Sequence, residues 1–348
     1  MKAAVYRAPG DIALEDRDMP VCGDDELLLR VRAASVCGTD MRIFKSGHFK
    51  IPASTHRVLG HEVAGVIAKV GRFVSGFAEG MRVTVTPNIG CGRCKLCRRG
   101  YNNMCPNYEA FGISLDGGFE DYMRVPNIAV RGGNVFAIPD GVSFEEAAVV
   151  EPLSCAFNAF QGLKVTPEDR VLIFGPGPIG AFFTQLAKLY GAKTVIVAGI
   201  TDNRLETVGR MGADVLINTT RTDLAQEIAN ISNGDGVDVI VTAASAPQLQ
   251  AQALTLLAMH GRVNFFGGLP KGAKVELDTN LIHYRGLHVA GTTGSSNEDY
   301  ARAMQLVADG QINVRDIVTE RYPLTEIGKA FDSAFEGRGM KAMVVPGD

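Results

Sequence analysis

Four thiols fall within fifteen residues: Cys91, Cys94, Cys97 and Cys105, interleaved with Gly90, Gly92 and Gly100. Zinc prefers four soft ligands in a tetrahedron, and a short glycine-containing loop can fold its sulfurs around one ion. Four thiolates leave no open coordination position, so the lobe reads as a structural zinc site. An iron–sulfur cluster also takes four thiolates, whereas disulfides fit neither the spacing nor a reducing compartment. The basic neighbours Arg93, Lys95, Arg98 and Arg99 can offset the charge of a tetrathiolate.

A second set of metal-binding types lies upstream. SVCGTD carries Cys37, Thr39 and Asp40, and LGHEVAGVI carries Gly60, His61 and Glu62 at the start of an apolar run. A cysteine, a histidine and a carboxylate can hold zinc while leaving a fourth position for water or a substrate oxygen. Such zinc is a Lewis acid that stabilises the alkoxide formed as an alcohol loses its proton. Taken singly, Cys37 and His61 have the types of ordinary buried side chains. Their company, a thiol lobe and a nucleotide turn, gives them a chemical reading.

That turn is Gly175-Pro176-Gly177-Pro178-Ile179-Gly180, a GxGxxG placed between the strand-like RVLIF and the helix-like AFFTQLAKLYG. The first glycine permits the tight turn, the second lets backbone approach a pyrophosphate, and the third lets helix pack on strand. The phosphates would face helix N-terminal amides. The next strand, KTVIVAG, ends in Gly199, where an acidic residue would ordinarily meet the ribose 2′-hydroxyl. Asp202 is close enough in sequence to serve the ribose instead, and Arg204 to pair with a 2′-phosphate, so NAD and NADP both stay open.

These groups need two kinds of scaffold. Up to about residue 150 the chain shows short β-rich runs broken by Gly and Pro (LLLRVRAA, EVAGVIAKV, MRVTVTP, DYMRVP), a barrel-like pattern. From about 165, apolar strands alternate with helix-length segments, among them PIGAFFTQLAKLYG, RLETVGRMG and QLQAQALTLLAM, which predicts a parallel sheet with helices on both faces. A last helix, EDYARAMQLVADG, precedes a tail, KAMVVPGD, expected to return to the first domain. The 348 residues suit two domains, and a net charge of −3 with no run of like charges gives no attraction to nucleic acid or anionic membranes. No apolar stretch has the length of a membrane span and the N-terminus lacks a signal-peptide pattern, so a cytoplasmic protein is expected.

GHEVAGVI, the four-cysteine lobe, GGFEDYM, EPLS at 151–154 and GPGPIG occur in the order seen in medium-chain zinc alcohol dehydrogenases, which the chain resembles over essentially its whole length. Glu151-Pro152-Leu153-Ser154 looks like the polyol branch of sorbitol, galactitol-phosphate and threonine dehydrogenases. The resemblance implies an α/β architecture: a GroES-like β-barrel catalytic domain (1–149), a doubly wound Rossmann domain (150–288), and a return to the catalytic domain (289–348). It implies two zinc ions per subunit, NAD or NADP, an alcohol or polyol substrate, and a homodimer or homotetramer. Cys37, His61 and Glu62 match zinc ligands, and Glu151 a carboxylate touching zinc directly or through its water.

By the same resemblance Asp40 orients the zinc site, Thr39 begins a proton relay, and Phe111 with Thr292 and Thr293 borders substrate and nicotinamide. The relay histidine expected just after the Asp is replaced by Met41 and Arg42, with His48 as a distant substitute. VAGTTGSS stands where sorbitol dehydrogenases carry an Arg-Tyr pair, which argues against sorbitol itself. Two competing readings remain: a zinc-free quinone or enone reductase of the superfamily, whose members lack the cysteine lobe, and a zinc-stabilised binding protein without catalysis.

Overall fold

Glycine and proline cut the first apolar runs short, and in the computed structural model, which describes residues 1–347, each run becomes a brief strand. In order these are β1 (Lys2–Ala8), β2 (Asp11–Asp16), β3 (Leu27–Ser35), β4 (Arg57–Val58), β5 (Glu62–Val70), β6 (Arg82–Val85), β7 (Asn88–Ile89), β8 (Glu109–Ala110), β9 (Tyr122–Val125) and β10 (Val135–Ala137). Helices α1 (Gly38–Ser46), α2 (Asn127–Arg131) and α3 (Phe144–Leu163) accompany them.

The second stretch alternates β11 (Arg170–Phe174), α4 (Pro178–Leu189), β12 (Thr194–Gly199), α5 (Asp202–Arg210), β13 (Val215–Asn218), α6 (Leu224–Ser232), β14 (Val237–Thr242), α7 (Pro247–Leu256), β15 (Leu257–Phe265), α8 (Thr279–Arg285) and β16 (His288–Gly291). The chain closes with α9 (Asn297–Ala308), β17 (Val318–Pro323), α10 (Ile327–Glu336) and β18 (Lys341–Val345).

Contacts divide these elements into one unit of residues 1–154, 294–310 and 314–348 and another of 155–293 and 311–313. The first is built on a seven-stranded sheet in the order β10-β6-β5-β3-β18-β17, with β9 on β3, beside a three-stranded sheet β2-β1-β4. Strand β3 is its hub. It pairs antiparallel with β5, bringing Ser35 opposite Glu62, and with β18, bringing Met343 opposite Ser35. Its core joins Val5, Leu29, Val31, Val63, Phe111, Phe119 and Phe331, all buried.

The second unit is a six-stranded sheet in the order β13-β12-β11-β14-β15-β16, with every neighbouring pair parallel. Its central strands β11 and β12 are apolar after their first residue, as parallel strands covered on both faces require. The α7 segment, read from sequence as helical through Met259, ends instead at Leu256. Leu257 pairs with Val237 and the register then shifts to Arg262 opposite Val239, so residues 258–261 form an irregular strand entry with His260 at φ 57°.

One buried carboxyl makes folding pH-sensitive. Glu120 is 2% exposed, and burial, with Asp116 nearby, holds its carboxyl well above the ordinary range. A group raised in the folded state adds stability below its unfolded value, about pH 4.3, and loses it as pH rises through the folded value. Glu120→Gln is therefore expected to raise the urea midpoint at pH 8 relative to the parent, with the gain vanishing near pH 4.

Candidate active site

Two short 3-10 turns, Cys97–Arg99 and Asn102–Met104, fold the cysteine lobe back on itself. The sulfurs of Cys91, Cys94, Cys97 and Cys105 all lie within 4.8 Å of one another. Cys94 and Cys105 are 3.9 Å apart, against an edge of about 3.8 Å for a tetrahedron with zinc–sulfur bonds of about 2.3 Å. The Cys91 N–H points at Cys105 Sγ and the Cys97 N–H at Cys94 Sγ, both 3.4 Å. Backbone N–H groups of Arg93 and Cys94 pull the Cys91 thiol down to about 6, while burial pushes Cys97 up to about 12. A Cβ at Gly90 would stand 2.6 Å from Cys97 Sγ, so the lobe needs glycine there. No disulfide occurs among the described residues, and the donor set fits a closed zinc site.

The second donor set gathers where α1 begins and β5 begins. The ligand atoms of Cys37, His61 and Glu62 lie within 4.8 Å of one another. Asp40, wholly buried, joins the two segments: Oδ2 accepts the Cys37 N–H at 2.9 Å and Oδ1 the Gly60 N–H at 3.2 Å. Gly60 has φ 90°, and a Cβ there would come within 2.9 Å of the Phe119 ring, so only glycine lets the chain turn into His61.

His61 Nδ1 is buried without a hydrogen-bond partner among the described residues, with Asp40 Oδ1 3.4 Å away. Burial opposes charge on this ring, but Asp40 and Cys37 outweigh it and hold the imidazole well above its ordinary value. A buried imidazole facing a carboxylate and a thiol is suited to a cation, which takes one ring nitrogen while the carboxylate orients the other.

Glu62 is also wholly buried. One oxygen accepts the Ser35 hydroxyl and the other lies 2.6 Å from Lys341 Nζ, itself buried on β18. Burial works against the ammonium, but Glu62, Cys37 and Glu151 together raise its affinity for a proton. Neither Ser35 nor Lys341 figured among the residues picked out from sequence. A lone lysine opening the apolar run KAMVV was the available signal for Lys341. Ser35, ending a strand, offered none.

Glu151 is buried on α3 but falls outside the set that meets within 4.8 Å. Thr39 is half-buried on the first turn of α1. His48 stacks on Phe49 and its Nδ1 accepts the Lys50 N–H at 3.2 Å. Phe111 is 0% exposed within the first unit's core, so it offers no surface to a substrate, contrary to the border role implied by resemblance. Thr292 donates to Asn264 Oδ1 at 3.3 Å.

In the second unit Gly175 leaves β11 at φ 104°, and a Cβ at Gly180 would collide with the Gly175 carbonyl oxygen, so α4 packs this closely on β11 only with glycine. Gly177, Pro178 and Ile179 form the mouth of the turn, with Gly177 preceding the helix and Pro178 as its first residue. Asp202 opens α5, where Asn218 and Arg221 hold its carboxylate, and Arg204 follows two residues later.

A parallel sheet carrying a GxGxxG turn, with a four-thiol lobe and a Cys/His/Glu cluster, defines a zinc-containing dinucleotide oxidoreductase. Residues 23–139 match the alcohol dehydrogenase GroES-like domain and 178–309 the zinc-binding dehydrogenase family. The chain is 36% identical to D-arabitol-phosphate dehydrogenase of Enterococcus avium over 99% of its length and 97% of the relative's. It is 36% identical to L-threonine 3-dehydrogenase of Pyrococcus abyssi, covering 93% of this chain and 90% of that one. A zinc-binding dehydrogenase of Sinorhizobium meliloti 1021, solved bound to NADP, superposes with a TM-score of 0.91 at 32% identity, covering 99% of both chains. The chain belongs to the medium-chain zinc-dependent alcohol dehydrogenases, in their polyol branch. It is a zinc-dependent, NAD(P)-linked alcohol oxidoreductase.

Removing one member of a buried ion pair strands the other, at about 3–5 kcal/mol. Lys341→Met is therefore expected to destabilise the metal-free protein by about that amount in urea unfolding, with much of the loss recovered in Glu62→Gln/Lys341→Met. Equal stability of parent and single variant would show that the pair carries no such constraint.

Proposed function

We propose that this enzyme interconverts a secondary alcohol and its ketone in a small hydroxyl-rich or charged molecule: a polyol, cyclitol, sugar phosphate or hydroxy-amino acid. The observation that carries the reading is the meeting of Cys37, His61 and Glu62 with Asp40 set behind His61. Relatives named for arabitol phosphate and threonine support the substrate class.

In this reading Cys37 and His61 hold the catalytic zinc, with Glu62 and Glu151 as the carboxylates that complete or border its coordination. Zinc bound there supplies Lewis acidity to the substrate oxygen. Asp40 fixes the orientation of His61. Ser35 and Lys341 hold Glu62 and share its charge, so that two buried carboxylates near one site do not simply repel. Thr39, on the turn after Cys37, accepts the hydroxyl proton and starts it toward solvent. Gly175, Gly177 and Gly180 seat the pyrophosphate of NAD(P), which takes the hydride. Cys91, Cys94, Cys97 and Cys105 bind the second, structural zinc.

The family match favours this dehydrogenase over a zinc-free enone reductase or a non-catalytic binding protein. A homodimer or homotetramer in the cytoplasm belongs to the same reading, supported by family resemblance alone.

Reduction of NAD and NADP against a panel of polyols, cyclitols, sugar phosphates and threonine, in parent and Cys37→Ser, tests the proposal. The expected result is turnover of one substrate class that falls at least about a hundredfold in the variant, together with loss of one of two zinc ions. Full activity in Cys37→Ser, or two zincs retained, would remove the assigned catalytic site.

A further inference from the structure

The chain rejoins the first unit at Gly294, and residues 294–300 bind to several separate parts of it. Gly294 has φ 59°, and a Cβ there would lie 2.7 Å from Asn88 Nδ2, so the segment runs this close to β7 only as glycine. Asn297 opens α9, where its N–H has no partner within the helix. Asn102, from the second 3-10 turn of the cysteine lobe, supplies that partner: its Oδ1 accepts the Asn297 N–H at 3.0 Å. Asn102 Nδ2 donates in return to Asn297 Oδ1 at 3.2 Å and to the Asn88 carbonyl at 2.7 Å. Asn297 Oδ1 also accepts the Thr86 hydroxyl at 3.0 Å, and its Nδ2 donates to the carbonyls of Gly132 at 2.7 Å and Gly133 at 3.1 Å.

The lobe fixes Asn102 from its own side. The Asn102 carbonyl accepts the Cys105 N–H at 3.2 Å, and its Cβ lies 3.0 Å from where a Cβ on Gly90 would stand. Whatever holds Cys97 and Cys105 in place therefore holds the turn between them. The other end of the segment reaches the turn of α3 that carries Glu151. Ser154 and Ser295, both buried, have their hydroxyls 2.7 Å apart, and Ser154 Oγ donates to the Glu151 carbonyl at 2.6 Å. A serine hydroxyl has one hydrogen, so Ser295 is the donor to Ser154. Ser296, between the two contacts, is itself held in a capping box with Asp299. Farther along α9, the Tyr300 hydroxyl lies 2.6 Å from Thr84 Oγ1 and 3.4 Å from the Ala147 carbonyl, on the turn of α3 before Glu151.

We infer that Asn102 and Asn297 are positioning residues that couple the four-cysteine lobe to the Glu151 turn of α3, with Ser295 and Ser154 as the link. Metal in the lobe fixes Asn102, Asn102 caps α9, and the start of α9 holds Ser154 and the backbone of Glu151. The lobe then acts on the chemistry and not only on stability. This rests on the reading of Glu151 as a carboxylate of the catalytic zinc, but the coupling itself is measured without turnover.

Release of lobe zinc to a chromogenic chelator is followed in the full-length protein carrying Cys37→Ser and loaded with one zinc per chain. Asn102→Ala and Asn297→Ala, which cut the same link from either side, are each expected to speed release about tenfold, and Ser154→Ala, outside the lobe, about threefold. Met104→Ala, an exposed side chain of the lobe, is expected to stay within about twofold of the parent. The double variant Asn102→Ala/Ser154→Ala should release zinc no faster than Asn102→Ala, because a cut link has nothing left to transmit. Effects that multiply in the double variant, or release from Ser154→Ala at the parent rate, would overturn the coupling. With Cys37 restored and both zincs bound, Asn102→Ala is expected to lose about tenfold in kcat with KM for the coenzyme within about twofold. An unchanged kcat would confine the network to stability and overturn its role in the chemistry. A parent without turnover, beside non-multiplying release rates, would overturn the dehydrogenase reading and leave the coupling standing.

Discussion

Asp40 Oδ2 accepts the Cys37 N–H and Oδ1 the Gly60 N–H, so one wholly buried carboxylate fastens the first turn of α1 to the loop that ends in His61. A buried carboxylate is costly unless its oxygens are bonded, and here the bonds it needs come from the two segments that carry the metal donors. The same oxygen that accepts from Gly60 faces His61 Nδ1. Folding and preparation of the metal site are thus one requirement: the loops close only around Asp40, and with them closed a cysteine and a histidine face each other.

Charge balance explains why the C-terminal strand must return to the first unit. Glu62 lies at the start of β5, deep in the sheet, and its countercharge comes from Lys341 at the start of β18. Strand β18 pairs with β3 directly beside Ser35, which donates to the same carboxylate. The pair is better understood as specifying an arrangement than as adding net stability, because desolvation offsets much of the attraction between buried ions. It keeps one carboxylate fixed next to Cys37 and His61, where a dication would gain from it.

The parts of this arrangement that depend on local spacing were readable from sequence. The cysteine lobe is a loop whose ligands are close because they are close in sequence, and the GxGxxG turn is defined by its flanking strand and helix. The parallel sheet announced itself through continuous apolar runs such as TVIVAG. What depends on long-range pairing was not readable. Ser35 and Lys341 meet Glu62 only because β3, β5 and β18 lie side by side, a register no local pattern encodes. The end of α7 at Leu256 is likewise set by the pairing of Leu257 with Val237, which overrides the helical preference of LLAM. Phe111 was given a substrate role by resemblance, but packing around the first unit's core claims it.

The first unit offers two donor sets of different kind for zinc, one closed by four thiols and one gathered by Asp40. Anomalous diffraction measured on both sides of the zinc absorption edge, from crystals of protein purified without chelator, tests this most directly. Two peaks per chain are predicted: one enclosed by Cys91, Cys94, Cys97 and Cys105, the other bonded to Cys37 Sγ and a His61 ring nitrogen, with Asp40 facing the opposite nitrogen. A single peak confined to the four-cysteine lobe, with Cys37 and His61 bridged by nothing, would rule out the second zinc site.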